Sequence, residues 1–503
     1  MNWDMIMSKR LSNEKGSLLM ITYMIIVVFV VFGAIFVVST GNDRLFAERQ
    51  RLSTQALYIA EAGIERAIYD LREDFINDPT PEWDDGNING MMIGPNTASF
   101  FTVSYTGTTL NNGSYTVELK NVAGQDDIWI RSTGTLNDIT ETLLVYASMS
   151  NVAPWNNAIF GGAGAAGGMV NGNVNIRGSV HILGENLAPT DLAVDLGGTA
   201  DLIGNNYDGL SASLLAKVPA LPTVDFNGET VSTLNAELRV KHGLVGLSGS
   251  ATAGNPDVFG DSEKETIDGS FVTDGFGGSM GTANVYSDNG WSNNYDLGDS
   301  VTFPSLSDPY GAYSTYQAYL KANALVINNA ADLAQLSSIT PTSSFSYSNA
   351  NGSISMDGSG NMAISGIVYV EGGNFNMSKQ GAATTINYTG VGSILVEGTS
   401  QIDLNLVTPG NSSYPTNIMA VMTPNSIGFN EANIDVMGLF YAEDTVVIQK
   451  QTDIMGTIVT NYFDMGTNVP SIFQVPETAN NLPAGLIGNA PVYSFRIVSW
   501  QKQ

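Results

Sequence analysis

The sequence has no cysteine, two histidines and few basic residues. Without cysteine there is no disulfide framework, no thiol chemistry and no cysteine-bound metal. The presence of only His181 and His242 excludes most histidine-rich metal sites and leaves few residues for a Ser-His-Asp triad. The 20 Lys and Arg residues against 48 Asp and Glu give a formal charge of −28, which argues against nucleic acid or anionic lipid as a partner because both need a basic footprint. We expect no cofactor and no metal.

What the sequence does have is a long uncharged run near its N-terminus. Ser17 to Asn42 are 26 uncharged, mostly apolar residues; as a helix they span roughly 39 Å, more than the hydrocarbon core of about 30 Å. A cleaved secretory signal has a shorter apolar core and ends at a small-x-small site, which this run does not. Because Lys9, Arg10 and Lys15 precede the run, the positive-inside rule predicts a cytoplasmic N-terminus and an exported remainder.

The uncharged run continues into an amphipathic pattern. Beyond Asn42, apolar residues recur near helical spacing and charged residues occupy the other face. The apolar positions are Leu45, Leu52, Leu57, Ile59, Ala60, Ile64, Ile68 and Leu71. The pattern predicts one helix from Ser17 to Arg72, about 80 Å long.

Two phrases of this helix resemble a known family over about residues 8–75. Gly16 followed by Ser17-Leu-Leu-Met-Ile-Thr resembles the prepilin-peptidase site and N-terminal helix of type IV pilin-like proteins. The phrase Ala60-Glu61-Ala62-Gly63-Ile64-Glu65 resembles a segment of the PilX-type minor pilins in particular. The resemblance implies cleavage after Gly16, a leader at 1–16 and a pilin-like helix at 17–75 with its transmembrane part at 17–42.

The sequence departs from the major-pilin pattern at two positions. The family usually begins its mature chain with phenylalanine, and here Ser17 follows Gly16. Major pilins carry a glutamate at the fifth mature position, thought to neutralise the N-terminal ammonium of the next subunit, and here that position is Ile21. Because a buried unpaired charge is costly, a subunit without the glutamate is less suited to the filament shaft. The departures imply a minor or tip subunit, and an uncleaved signal anchor stays open as the alternative.

The resemblance also implies partners and a location. It predicts a non-enzymatic tip or priming subunit of a type IV pilus or a related type II secretion filament. The expected partners are other pilin-like subunits bound through the helix, the prepilin peptidase, the inner-membrane assembly platform, and the membrane before assembly. The chain is then a single-pass membrane protein whose C-terminal region lies at the cell surface or pilus tip. A membrane-anchored adhesin outside any filament is the alternative, and a β-helix polysaccharide-active enzyme is a more remote one.

The segment 76–150 predicts a small antiparallel β meander on the distal half of the helix. Its hairpin signals are Asn111-Asn-Gly113, Gly124-Gln-Asp-Asp127 and Leu136-Asn-Asp138. The runs with strand composition are Phe100–Tyr105, Ser114–Leu119, Ile128–Arg131 and Ile139–Ala147. Asp85 to Gly90 fits the opening of a calcium loop, but Asn96 stands where a glutamate is expected, so a surface turn is the better interpretation.

Residues 151–503 predict a β head, which makes the whole chain α+β. Short apolar runs between Gly and Asn turns return with a loose repeat, which indicates a right-handed parallel β-solenoid; a β-sandwich is the alternative because the repeat is imperfect. The runs are Val170–Ile182, Ile364–Met377, Ile394–Leu406, Ile427–Val436, Leu439–Ile448 and Ile454–Phe463. An inserted excursion at about 205–350 contains a predicted helix from Tyr310 to Asn328. The last strand, Val492–Trp500, either closes the final rungs or returns to the meander.

No catalytic constellation assembles from the residues of the head. A lyase needs a basic residue beside calcium-binding acids, and the candidates are isolated ones: Arg177, Lys321, Lys379 and Lys450. We therefore expect no enzymatic activity. Exposed aromatics of the excursion have two interpretations, binding to a surface or glycan ligand, or pinning of a loop to its scaffold, which is the commoner role. These aromatics are Trp291, Tyr295, Tyr310 and Tyr313.

Overall fold

The computed structural model divides the chain into two compact units. The first comprises Met1–Ser150 with Phe495–Gln503, and the second comprises Asn151–Ser494. The structure describes residues 3–77, 87–88, 91–92, 99–121, 127–163, 170–172, 174–187, 191–196, 201–226, 229–234, 236, 238–240, 244–247, 252–253, 276–277, 301–465, 470–490 and 492–503. Because the chain leaves the first unit and later returns to it, the second unit is an insertion.

The first unit begins with a single helix, α1, which runs from Trp3 to Asn77 over 75 residues. The segment contains no proline, so no backbone donor is missing from the helical ladder. Within the apolar run, the hydroxyls of Thr22 and Thr40 donate to the carbonyls of Leu18 and Phe36, both at 2.8 Å, so neither hydroxyl is left unsatisfied. The predicted long helix is confirmed, and it begins before Ser17.

A six-stranded sheet completes the first unit. Its strands pair in the order β3-β5-β6-β7 and then the last strand of the chain, with β4 beside β5; β1 and β2 form a separate pair. The bounds are β1 Asn87–Ile88, β2 Met91–Met92, β3 Phe101–Val103, β4 Thr109–Leu110, β5 Gly113–Asn121, β6 Asp127–Leu136 and β7 Ile139–Asn151. Along β5, buried residues alternate with more exposed ones, as expected where one face is covered and the other faces water.

Two of the predicted hairpin turns lie where the sequence placed them. Leu110 pairs with Gly113 across a two-residue loop in which Asn111 and Asn112 have φ of 50° and 67°. Leu136 pairs with Ile139, and Asn137 between them has φ of 53°. Asparagine tolerates this left-handed backbone region and therefore fits tight hairpin turns. Of the third predicted turn only Asp127, the first residue of β6, is described. Of the calcium-type phrase beginning at Asp85 only Asn87–Ile88 are described, and they form β1.

The second unit consists almost entirely of short strands. Its strands are β8 Ile159–Gly161, β9 Val170–Gly172, β10 Asn175–Arg177, β11 Val180–Ile182, β12 Leu192–Leu196, β13 Asp201–Gly204, β14 Thr223–Phe226, β15 Glu229–Ser232, β16 Leu238–Val240, β17 Leu244–Leu247, β18 Thr252–Ala253, β19 Phe276–Gly277, β20 Leu325–Ile327, β21 Ser344–Ser348, β22 Gly352–Asp357, β23 Asn361–Val370, β24 Phe375–Ser378, β25 Thr385–Thr389, β26 Val391–Val396, β27 Ser400–Asp403, β28 Asn405–Val407, β29 Ile418–Thr423, β30 Ile427–Phe429, β31 Ile434–Ile448, β32 Thr452–Asp464 and β33 Ser471–Phe473. Its helices are α2 Ala212–Leu215, α3 Tyr316–Ala322 and α4 Ala330–Leu336. The final strand of the chain, β34, is Tyr493–Lys502.

One large mixed sheet dominates the second unit. Most of its pairings are parallel. In these pairings a strand lies beside the corresponding strand of the next repeat, as in β23 with β26, β26 with β29 and β31 with β32. The β21-β22-β23 meander and the β18-β19 pair are antiparallel. Aliphatic and aromatic side chains from successive strands form one continuous buried cluster. Parallel strands of this kind are typically buried on both faces.

The order of stacking does not follow the order of the chain. Strand β32, late in the sequence, pairs in parallel with β8, and β33 pairs with β10. The chain enters and leaves this unit at one place, because the amide of Val152 donates to the carbonyl of Val492 at 2.7 Å. The first strands of the unit therefore stack upon its last ones.

Three sequence expectations are corrected or resolved here. The helix predicted from Tyr310 to Asn328 is much shorter: Thr315 caps α3 by accepting from the amide of Ala318 at 3.0 Å, and the chain then enters β20, which pairs with β23. The predicted excursion also supplies β16, which pairs with β11, so it is not wholly outside the large sheet. Strand β34 joins the sheet of the first unit beside β7. Of the two alternatives for this last strand, the structure therefore has the return to the meander.

Candidate functional site

The N-terminal part of α1 carries a long apolar surface that its own unit does not cover. Every large apolar residue from Leu18 to Val38 is exposed, from 44% at Val27 to 75% at Leu19. Of the described helices, only the stretch Ser17–Leu71 of α1 is long and apolar enough to cross a membrane. Contiguous apolar surface of this size marks a membrane or protein contact. Length and composition fit a single-pass membrane span.

The candidate cleavage residues lie within this helix. Gly16 and Ser17 are both inside α1, and no turn separates them. Ile21, which the resemblance aligns with the glutamate of major pilins, is 54% exposed. An apolar side chain there suits lipid or an apolar neighbour and supplies no partner for an ammonium group. Cleavage after Gly16 stays a prediction.

The second motif lies where α1 packs on the sheet. Ala60 and Ile64 are fully buried, as are Ala56 and Ala67 on the same side of the helix. Glu61 and Glu65 are exposed on the opposite side, and Ala62 is partly exposed. The motif therefore contributes small and aliphatic residues to the contact with the sheet and acids to the free face of the helix.

Two glycines allow this contact to be close. A Cβ atom at Gly134, in β6, would stand 2.5 Å from the amide nitrogen of Ala60 and closer still to the carbonyl oxygen of Ala56. A Cβ atom at Gly63, in α1, would stand 2.9 Å from the ring of Tyr115 and would overlap the hydroxyl of Ser132. The glycine of the sheet faces the backbone of the helix, and the glycine of the helix faces side chains of the sheet. A side chain at either position would displace the neighbouring atoms.

A cationic side chain extends the same contact. Arg66 donates to the carbonyl of Thr106 at 2.7 Å and to the hydroxyl of Tyr115 at 3.2 Å. Its guanidinium also lies 4.4 Å from the centre of the Tyr105 ring and 3.8 Å from the Asp70 carboxylate. Burial is the main cause that raises the pKa of Tyr105, and the neighbouring Asp70 raises this pKa further. The arginine joins α1 to the loop before β4 through charge-assisted and cation–π contacts.

A carboxylate links three elements of the first unit. Glu141 in β7 accepts a hydrogen bond from Ser53 in α1, and it pairs with Lys502 in β34 at 2.9 Å. The hydrogen bond from Ser53 lowers the pKa of Glu141, and Lys502 lowers it further, while burial acts in the opposite direction. The contact attaches the C-terminal strand to the helix on which the unit is built.

Sequence reasoning missed these supporting residues. Gly134 stands inside a strand, where glycine often marks close backbone approach, so it carried a readable signal. Arg66 and Ser53 gave no such signal, because their partners are distant in the chain and polar residues on a helix are ordinarily solvated. The contacts depend on how α1 is rotated over the sheet.

Three of the four isolated basic residues of the head form ordinary ion pairs. Lys321 contacts Glu371, and Lys379 lies 3.4 Å from Glu431. Arg177 lies 3.9 Å from Asp208. Among the described residues, no group of three or more His, Asp or Glu is arranged to hold a metal ion.

The exposed aromatics of the excursion are only partly described. Trp291 and Tyr295 lie outside the described residues. Tyr310 and Tyr313 are exposed, at 44% and 38%, and both contact the ring of Tyr319, with ring centres 4.6 Å and 5.5 Å apart. They therefore pack against α3 while keeping much of their surface in solvent.

Comparisons with known proteins find a likeness among solved structures. No family model and no curated protein matches the chain. Among solved structures it is similar to the crystal structure of the competence-associated pilin ComZ from Thermus thermophilus, with 20% sequence identity and a TM-score of 0.48. The likeness covers 90% of this chain and 97% of that one.

Proposed function

We propose that this chain is a non-enzymatic minor subunit, at the tip or priming position, of a type IV pilus or a related type II secretion filament. The observation that carries the proposal is the change of surface along α1. Its proximal half exposes apolar residues on all sides, while its distal half buries Ala56, Ala60 and Ile64 against a sheet. One continuous helix thus joins an uncovered apolar rod to a folded, exported cargo.

The proximal half needs a partner that can replace lipid. A helix that stays in the bilayer is covered by lipid, but a subunit that enters an extracellular filament needs apolar neighbours of the same length. Other pilin-like helices supply such a surface, because long apolar helices pack side by side through ridges and grooves. The side chain of Ile21 then contacts an apolar neighbour without burying a charge. It supplies no carboxylate for the N-terminal ammonium of a next subunit, which suits a subunit outside the filament shaft.

The proposal includes processing and topology. The leader at 1–16 is removed between Gly16 and Ser17 by the prepilin peptidase, and the segment 17–42 spans the membrane before assembly, with the residues before it in the cytoplasm. The assembly platform of the inner membrane then extracts the subunit. Because the charge before the apolar run is positive, the remainder of the chain is expected outside the cytoplasm.

For the head, we propose a right-handed parallel β-solenoid within 151–494, while the β-meander domain at 76–150 is completed by β34. Parallel pairings that advance by one repeat support this, as does the continuous buried cluster inside the large sheet. Among the residues of the head that the structure describes, the exposed polar positions are suited to display and form no recognisable reaction centre. A membrane-anchored adhesin outside any filament would use the same helix as an anchor alone.

Crosslinking distinguishes these two roles. Because the chain has no cysteine, the variants Ile21→Cys and Val31→Cys each provide one thiol for a bifunctional reagent in intact producing cells. The proposal expects crosslinks from both positions to other pilin-like subunits. Leu215→Cys, which places an exposed thiol in the second unit, is the matched control and should give none of them. Crosslinks to lipid alone would favour the anchored adhesin.

Mass spectrometry of the surface form tests the processing step. A mature chain beginning at Ser17 supports the peptidase assignment. A mature surface protein that still begins at Met1 contradicts it and favours a signal anchor.

A further inference from the structure

A cluster of four tyrosines stands at the surface of the second unit. Tyr310, Tyr313, Tyr316 and Tyr319 contact one another, with ring centres between 4.6 and 5.5 Å apart. The described part of this unit exposes only four large apolar side chains, and two of them are Tyr310 and Tyr313, with Leu215 and Val391 as the others. Exposed aromatic surface is therefore concentrated at one turn, here named the tyrosine turn, residues Tyr310–Tyr319.

The tyrosine turn is rigid before any ligand arrives. The amide of Tyr310 donates to the carbonyl of Tyr313 at 3.2 Å, and the amide of Tyr313 donates back at 2.9 Å. Gly311 between them has φ of 55°, which glycine adopts without strain. The carboxylate of Asp308 accepts from the amide of Ser305 at 2.9 Å, which fixes the approach to the turn. A site held this way loses little conformational entropy on binding.

One ring anchors the others to the unit. Tyr316 is only 6% exposed, and its hydroxyl donates to the carbonyl of Leu486 at 3.2 Å. On the other side of α3, Gln317 donates to the hydroxyl of Tyr369 at 2.9 Å, and Lys321 contacts Glu371. The helix is thus tied to β23 and to the strand end beyond it. Tyr310 and Tyr313 pack on the rings of this fixed helix and keep much of their surface in solvent.

The exposed aromatic area alone is well below the area that a protein partner covers. A tyrosine that is fully covered buries about 150–250 Å², so exposed fractions of 44% and 38% correspond to about 160 Å² in total. A stable protein interface needs about 800 Å² from each side. An area of this size matches the apolar face of one or two sugar rings, whose C–H groups stack on aromatic rings.

Polar groups at the edge and the charge of the chain define the ligand further. The amide nitrogen of Asn323 lies 3.3 Å from the hydroxyl of Tyr313, so hydroxyl and amide groups border the rings and can exchange hydrogen bonds with sugar hydroxyls. The formal charge of −28 disfavours acidic sugars, because like charges repel. We propose that the tyrosine turn binds a neutral polysaccharide through stacking on Tyr310 and Tyr313. This inference rests on the proposed function, in which the head is displayed outside the cell.

The test measures binding of neutral oligosaccharides to the purified full-length chain. The chain is held in a detergent without a sugar headgroup, since such headgroups would compete. Immobilised cello-, malto- and chito-oligosaccharides are the neutral probes, and polygalacturonate is the acidic one. At least one neutral probe should bind, and the Tyr310→Ala/Tyr313→Ala variant should weaken that binding at least about tenfold.

Three control variants separate stacking from other effects. Leu215→Ala, an equally exposed position of the same unit, and Tyr69→Ala, an exposed tyrosine of α1, should bind like the parent chain. Tyr310→Phe/Tyr313→Phe keeps both rings and should retain most of the binding even if the alanine variant folds poorly. Binding by none of the neutral probes, binding only to the acidic probe, or equal binding by a folded alanine variant would overturn the proposal.

The same variants keep this inference distinct from the proposed function. Tyr310→Ala/Tyr313→Ala leaves α1 intact, so the crosslinks from Val31→Cys to pilin-like subunits should persist in it. Loss of glycan binding with those crosslinks intact supports a ligand site in the head of a filament subunit. Glycan binding without any such crosslink retains the site and removes the filament role.

Discussion

Two partly buried carboxylate sites, one in each unit of this molecule, lie in opposite surroundings. In the first unit, Glu141 is surrounded by donors, Ser53 and Lys502, which lower its pKa. In the second, Asp435 pairs directly with Asp453 across β31 and β32. Burial raises the pKa of Asp435, and burial together with Asp435 raises the pKa of Asp453. The first arrangement favours the charged form and the second the protonated form, so acid should weaken the contact at Glu141 and strengthen the pairing of Asp435 with Asp453.

The difference follows from how each sheet is made. The antiparallel sheet of the first unit packs one face on α1, and polar side chains from both elements meet at the edge of that contact. The parallel stack of the second unit repeats similar residues one above another, so that Asn405, Asp435, Asp453 and Ser471 occupy successive positions of one column. Stacking therefore places similar side chains next to each other, and at Asp435 and Asp453 it places two acids next to each other.

The largest effect is expected where helix and sheet are closest. Gly134→Ala should destabilise the first unit by about 1–3 kcal/mol, because the new methyl overlaps the backbone of Ala56 and Ala60. Hydrogen exchange at β5 and β6 should accelerate while β31 and β32 stay unchanged. Gly41→Ala, where the added methyl meets nothing within 4 Å, is the control and should leave exchange unchanged or slower. Unaltered exchange in Gly134→Ala would contradict the close contact.

The next effect concerns the stacked acids. A folded-state pKa raised above the unfolded one means that stability is lost as pH rises and both aspartates ionise. Asp435→Asn removes that charge, so it should raise the stability of the second unit at neutral pH. In acid, where the aspartate is protonated in both states, it should change little.

Thermal unfolding followed at several pH values checks this expectation. Asp444→Asn, an exposed acid on the same strand, serves as the control and should have a smaller effect at neutral pH. A destabilised Asp435→Asn at neutral pH would mean that the charged carboxylate contributes favourable contacts there.

The smallest effect is expected at Glu141. Ser53→Ala removes the main group that lowers its pKa, so the first unit should lose about 0.5–1.5 kcal/mol at neutral pH. A lowered carboxyl pKa contributes stability above the unfolded pKa and loses it as pH falls, so variant and parent should converge in acid. Hydrogen exchange at β7 against pH measures this. Thr54→Ala, whose hydroxyl bonds only within the helix, should show no such pH dependence; a constant difference at all pH values for Ser53→Ala would exclude the role of Glu141.

Local features of the fold were readable from the chain because their causes are local. Asn111, Asn112 and Asn137 adopt the backbone that their hairpins need, and Ala60 and Ile64 lie on the apolar stripe that helical spacing predicts. The helix expected from Tyr310 to Asn328 was wrong in extent. Residues Leu325–Ile327 form a strand because they pair in parallel with β23. No residue close to them in the sequence indicates this pairing.

The candidate sites divide in the same way. The apolar stretch beginning at Ser17 needed only composition, since a helix of that length must find lipid or apolar neighbours. The tyrosine turn needed the fold: Tyr316 is drawn inward by Leu486, far along the chain, and this leaves Tyr310 and Tyr313 facing outward.

By itself, the sequence determined the membrane-length helix, the hairpins and the β character of the head, because each depends on side chains within one or two turns of one another. Only the tertiary structure decided that β8 stacks on β32, that β34 returns to the first unit and that Gly134 meets Ala60. These contacts join residues far apart in the chain. Their free energy depends on surfaces that exist only after the partner elements have formed, and no local pattern encodes it.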